Sequence, residues 1–234
     1  GTASNMVAQR ARALVNSDNM SVYGRIIEEA EALAAHGVKE LIVIAQDITR
    51  YGTDLYGKRM LAELIRQLSA IPEIEWIRLH YLYPDQFDDE LITEIAENDK
   101  IVKYLDIPIQ HINDDILRRM NRRGTGREIR TLFQTLRERI PELVLRTSLI
   151  TGLPGEGEAE FEELCAFLEE AQIERAGVFP FSPEEGTPAA AMEHPDEETA
   201  VRRAERIQEL QGRVLDRFAE AQVGRVLEVL TEGF

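Results

Sequence analysis

A chain of 234 residues, 44% of them apolar, is sized for one large globular domain and excludes general disorder. With 43 acidic against 27 basic side chains, the net charge of −16 argues against a broad nucleic-acid-binding face, which needs clustered cations. It suits solubility, or docking on a basic protein partner. No apolar run reaches the ~20 residues that cross a bilayer. The opening Gly1-Thr2-Ala3-Ser4-Asn5 lacks the plan of a secretion signal, and a single cysteine permits no internal disulfide, so a cytoplasmic location without membrane contact is expected.

Residues 1–22 read apart from the rest: 6–15 can form a helix, but Asn16-Ser17-Asp18-Asn19-Met20 is loop chemistry. From Ile26 onward, helical and strand-like periodicities alternate. The spacing predicts a helix over 26–36 stopped by Gly37, a buried strand over 40–45, a helix over 58–70 and a strand over 76–83. A helix over 85–97 with an acidic first turn follows, then a strand over 103–107. Helices over 114–120 and 127–139 are separated by Gly124-Thr125-Gly126, ahead of a strand over 143–150, a helix over 157–171 and a strand over 175–181. Such alternation implies parallel βαβ units and an α/β barrel over 23–190. Five units are clear, and a sixth strand expected before Ile26 is not legible.

The tail 191–222 contains a long charged helix from Asp196, with Val201, Ile207, Leu210, Val214, Leu215 and Phe218 at helical spacing, expected to pack on the barrel. Residues 223–234 alternate like the opening strand of a further domain.

In a parallel barrel the chemistry gathers where strands end. Gln46 and Asp47 end one strand, Tyr83 another, Gln110 and His111 a third, and Ser182 a fourth. Loop capping explains any one of them, but their recurrence at successive ends points to a shared site. Gly152-Leu153-Pro154-Gly155-Glu156 joins a strand to a helix, where glycines admit a close ligand and free N–H groups face it. A tight turn explains those glycines equally well. Arg146 lies inside an apolar strand and needs a partner: a ligand carboxylate, or Asp106 or Glu156. His80 reads as a satisfied core histidine, His36 and His194 as surface residues, and Cys165 as a small core residue in a helix. No metal-ligand spacing is present.

Several stretches together carry a resemblance. They are Gln46-Asp47-Ile48-Thr49-Arg50-Tyr51-Gly52, Trp76-Ile77-Arg78 with Tyr81-Leu82-Tyr83-Pro84, and Tyr104-Leu105-Asp106-Ile107-Pro108-Ile109-Gln110-His111. Met120-Asn121-Arg122-Arg123-Gly124 and Phe181-Ser182-Pro183-Glu184-Glu185-Gly186-Thr187 complete the set. Over about 26–230 the chain resembles the radical S-adenosylmethionine (SAM) methylthiotransferases, and within them those that modify an aspartate β-carbon of the decoding-centre protein of the small ribosomal subunit.

The resemblance implies an open TIM-type radical-SAM barrel of six βα units, with 223–234 opening a TRAM-like domain. It implies SAM, [4Fe–4S] clusters ligated in part through CxxxCxxC, a small-subunit ribosomal protein as substrate and an electron donor such as flavodoxin. By position, Gln46 and Asp47 would lie near the methionyl amine, Gln110 near the ribose and Arg146 near the methionyl carboxylate. Gly152, Pro154, Gly155 and Glu156 would lie near the adenosine, and Phe181 and Ser182 near the adenine. The cluster cysteines have no counterpart here, which implies a core that holds no cluster and is inactive by itself. Alternatives are a tRNA methylthiotransferase of the same family, a barrel serving only as a protein-interaction module, and an unrelated barrel enzyme acting on a small anionic ligand.

Overall fold

The computed structural model describes residues 22–231. Helix α1 (Val22–Ala35) leads into strand β1 (Glu40–Ile44), α2 (Leu61–Ser69) into β2 (Trp76–His80), and α3 (Asp89–Glu97) into β3 (Ile101–Asp106). Two helices, α4 (Asp114–Arg119) and α5 (Gly126–Arg139), precede β4 (Val144–Thr151). Helix α6 (Glu158–Ala171) precedes β5 (Arg175–Pro180), and α7 (Glu197–Gln222) follows it.

The sheet is parallel throughout and ordered β1-β2-β3-β4-β5, the order of the chain itself. Parallel neighbours require a crossover between them, and the intervening helices supply it. The result is the expected α/β architecture, as an open sheet of five strands among the described residues.

Strand residues alternate between two unlike faces. Leu41, Ile77, Leu79, Leu105, Leu145 and Leu149 are buried against helices that contribute Ile65, Leu68, Ile95, Phe133, Leu136, Leu164 and Phe167. The opposite face carries Arg78, His80, Tyr104, Asp106, Arg146, Ser148 and Arg175 with Ile150 and Phe179. A core on one side and a polar floor on the other is how an open barrel presents its interior.

Several helix starts are fixed by side-chain caps, which explains where some observed ends depart from the periodicity. Asp88 accepts a hydrogen bond from the Leu91 N–H at 2.9 Å, so the helix expected over 85–97 begins at Asp89. A separate 3₁₀ turn, Pro84–Gln86, occupies the residues before it. Asn113 caps α4, and Thr125 and Glu128 form a reciprocal capping box on α5.

Helix α7 lies against α6 and the β5 side of the sheet, where the Gln211 amide donates to the Ile173 and Glu174 carbonyls at 3.0 and 2.9 Å. Its buried stripe is Ala200, Arg203, Ala204, Ile207, Leu210 and Val214, which corrects the sequence reading: Val201 is exposed. The strand expected over 223–234 is not formed at 223–231. Val226 is 100% exposed, and no strand among the described residues pairs with that segment; an unpartnered strand has no stability in water. The helix expected over 6–15 lies outside the described residues. Among those described, no helix is long and apolar enough to cross a membrane.

Candidate functional site

Because the sheet is parallel, the five loops singled out from sequence leave one edge, and backbone hydrogen bonds join them in turn. The Ile48 N–H donates to the Tyr81 carbonyl, Leu82 to Asp106, Ile107 to Arg146, Gln110 to Ser148, and Phe181 to Thr151, at 2.7–3.2 Å. Gln46, Asp47, Tyr83, Gln110, Gly155, Phe181 and Ser182 thus stand along one continuous rim.

Two residues on that rim are held in the left-handed region without being glycine: Tyr81 at φ 60° and Gln110 at φ 71°. Such conformations cost about 1 kcal/mol or more each and collect at functional sites. Both Gln110 backbone groups are tied to β4, its N–H to Ser148 at 2.9 Å and its carbonyl to Ile150 at 3.0 Å.

The individual side chains are less uniform. Gln46 and Ser182 are exposed. Asp47 turns its carboxylate into its own loop, accepting from the Thr49 N–H at 3.0 Å and from the Thr49 hydroxyl. Phe181 sets its ring edge-on to His194 at 5.3 Å, so His194 is half-buried where a surface residue was expected. Arg122 stacks 5.0 Å over the Tyr83 ring.

Glu156 does not reach the rim. It is 2% exposed and sits behind the Gly152–Glu156 turn, accepting from the Gly152 N–H at 2.8 Å. Arg203 of α7 donates to the Glu156 carboxylate at 2.8 Å and to its carbonyl at 2.9 Å. His111 approaches the other carboxylate oxygen at 3.3 Å. The Asn113 N–H donates to His111 Nδ1 at 3.0 Å, which leaves the ring proton on Nε2, near Glu156 but not hydrogen-bonded to it. Gly152 and Pro154 are likewise buried, and only Gly155 of this turn is exposed, with Arg119 packed beside it. The turn is therefore held from behind by α7.

Arg146 finds Asp106, one of the alternatives the sequence left open. The two meet at 2.6 Å on the open face, with the Asp106 side chain 1% exposed and that of Arg146 33%. This pairing, with Tyr104 and Tyr81 nearby, raises the Arg146 pKa despite its burial, which acts the other way. Asp106 Oδ2 and His80 Nε2 are both buried without a hydrogen-bond partner, and His80 Nδ1 stands 3.7 Å from Asp106.

Burial holds the His80 imidazole below its ordinary pKa, and the opposing pull of Asp106 does not reverse this. With the folded value depressed, the unfolded chain takes up the proton first as pH falls. Stability contributed by His80 is therefore complete above about pH 6.5 and is lost as pH drops below it toward the folded value. Denaturant midpoints measured from pH 7.5 to 5 are expected to fall more steeply in the wild type than in His80→Gln. The difference is at most one proton, about 1.4 kcal/mol per pH unit. Identical slopes would remove His80 from the account.

A [4Fe–4S] cluster is held by cysteine thiolates. The chain's one cysteine, Cys165, is 4% exposed inside α6, and burial pushes its thiol up to about 11. Among the described residues no group of three or more His, Cys, Asp or Glu is placed to hold a metal ion. The described residues of this chain do not fit a cluster.

A family profile for the radical SAM superfamily matches residues 19–168. The chain belongs to the radical SAM superfamily. Within it, the chain is 50% identical over 210 residues to the ribosomal protein uS12 methylthiotransferase RimO of Acetivibrio thermocellus, covering 89% of this chain and 46% of that protein. It is 51% identical over 210 residues to RimO of Lachnoclostridium phytofermentans, covering 89% and 48%. The chain thus spans about half the length of the curated relatives it matches. The radical SAM enzyme HemN of Escherichia coli, a coproporphyrinogen III oxidase, shares the fold with a TM-score of 0.59 at 16% identity, over 82% of this chain and 46% of that one.

Asp106 and Arg203 escaped the sequence reading as site residues. Arg203 had left a trace, as a charge at a position where α7 otherwise buries Ala200, Ala204 and Ile207.

Proposed function

We propose that this chain is the barrel core of a methylthiotransferase that uses SAM to modify ribosomal protein uS12 on an aspartate side chain. The observation that carries the reading is the rim: five loops on successive parallel strands, in a chain half identical to RimO proteins. SAM brings a sulfonium centre flanked by a methionyl amine and carboxylate on one side and a ribose and adenine on the other.

Gln46 and Asp47 are suited to the methionyl amine, and Arg146 supplies the guanidinium for the carboxylate. Gln110 is suited to the ribose, Gly155 to the adenosine, and Phe181 with Ser182 to the adenine. Glu156 takes a different part, holding the turn from behind while the backbone meets the ligand. The acidic chain complements a basic ribosomal protein. An electron donor such as flavodoxin belongs to the same reading, as do [4Fe–4S] clusters ligated by thiolates other than Cys165.

In the cells that make this protein, disrupting its gene should leave uS12 without its methylthio group in mass spectra of ribosomal proteins. Fully modified uS12 in the disrupted strain would end this reading, and loss of methylthio groups from tRNA instead would favour the tRNA-modifying relatives.

A further inference from the structure

On the open face, β4 and β5 set two arginines side by side. Arg146 and Arg175 are register partners, followed by Ser148 with Gly177 and then Ile150 with Phe179. Like charges directly opposite on neighbouring strands destabilise a sheet, so the pair needs compensation. Arg146 receives it from Asp106 at 2.6 Å. Arg175 does not: it is exposed and has neither a carboxylate nor a hydrogen-bond partner among the described residues, in a chain with 43 acidic side chains. Burial raises the pKa of the half-buried Tyr104, and Arg146 and Arg175 both act against that rise.

The surroundings give this spot a shape. The Phe179 ring lies over Gly177, where a Cβ would meet it at 3.5 Å, an ordinary contact. Phe179 is 57% exposed, a large aromatic surface left open at the head of the same strip. An unpaired guanidinium with an exposed apolar ring further along the same strand suits a carboxylate on an apolar stem.

We propose that Arg175 is a carboxylate-binding residue of the open face, and that it takes the acidic side chain of the polypeptide substrate. The inference rests on the methylthiotransferase reading above and extends it to substrate selection. Arg146, already paired with Asp106, then serves the methionyl carboxylate with the rest of its guanidinium, and the substrate carboxylate supplies the counter-charge that Arg175 lacks. Arg175 is the first residue of β5 and lies level with its register partner Arg146, so the two anions would lie side by side, each on its own guanidinium.

The test is equilibrium binding to this chain of a uS12 peptide carrying the target aspartate, of the same peptide with asparagine, and of SAM. Wild type should prefer the aspartate peptide, and Arg175→Gln should weaken it by about 10- to 100-fold while leaving the asparagine peptide and SAM unchanged. Arg175→Lys, which keeps the charge but not the fork, should fall between them. Equal affinity of wild type for the two peptides overturns the assignment. So does a loss confined to SAM, which would make the anion the methionyl carboxylate. Failure of both peptides to bind wild type sinks the uS12 reading itself, and is thereby distinguishable from failure of the subsite.

Discussion

Replacing Arg203 with methionine is expected to lower the unfolding free energy by about 3–5 kcal/mol, the usual consequence of stranding one half of a buried ion pair. The Arg203 side chain is 8% exposed and that of Glu156 0%, so water cannot take over when the guanidinium is removed. Three hydrogen bonds go at once: two to Glu156, and one at 3.3 Å to Glu158 at the start of α6. The guanidinium also stacks 5.1 Å over Phe161, and that contact would be kept only in part by methionine. Denaturant unfolding measures the loss. Adding Glu156→Gln to Arg203→Met should recover a large part of it, because the neutral amide still accepts the Gly152 N–H without a buried charge. A single-variant loss below about 1 kcal/mol would mean that the network does not hold the turn.

The second large effect comes from steric contact. Gly152 has φ +75°, and a Cβ placed on it would sit 2.4 Å from the Ala200 Cβ. Gly152→Ala is therefore expected to cost about 2–4 kcal/mol, from overpacking and from the left-handed backbone together. The neighbour is a helix, anchored there by the Thr151 hydroxyl donating to the Ala200 carbonyl at 2.8 Å, so it cannot simply slide away. Ala200→Gly opens the space but costs about 1 kcal/mol of helix propensity by itself. The double variant should nevertheless be more stable than Gly152→Ala alone, since the clash outweighs that cost and only the backbone strain remains. Losses that simply add would show that strand end and helix do not touch as described.

Much of the fold was legible because each element announces itself within its own residues. Apolar runs such as 41–44 and 143–150 have no competing interpretation once Gly37 and Gly157 mark the breaks. Boundaries moved where a cap such as Asp88 overrode the apolar period, since capping is a local hydrogen bond that hydrophobicity does not report. The rim was legible for the same reason: polar residues after a buried strand must emerge at its end. The orientation of those side chains was not. Whether Glu156 faces a ligand or Arg203 depends on a partner 47 positions further along the chain, and no local pattern contains that pairing. Arg146 had three candidate partners, and only the register of β3 against β4, which aligns it with Asp106, decides among them.

The strand order has a further consequence for synthesis. Each strand pairs with the one made just before it, so the sheet can grow outward as the chain is translated, with no early segment waiting for a late one. The exception is the Gly152–Glu156 turn, whose anchor is 47 residues downstream in α7. Until that helix emerges, a nascent barrel carries an unneutralised carboxylate in its wall. That turn thus sets only once Arg203 has been made, however early its own residues are made.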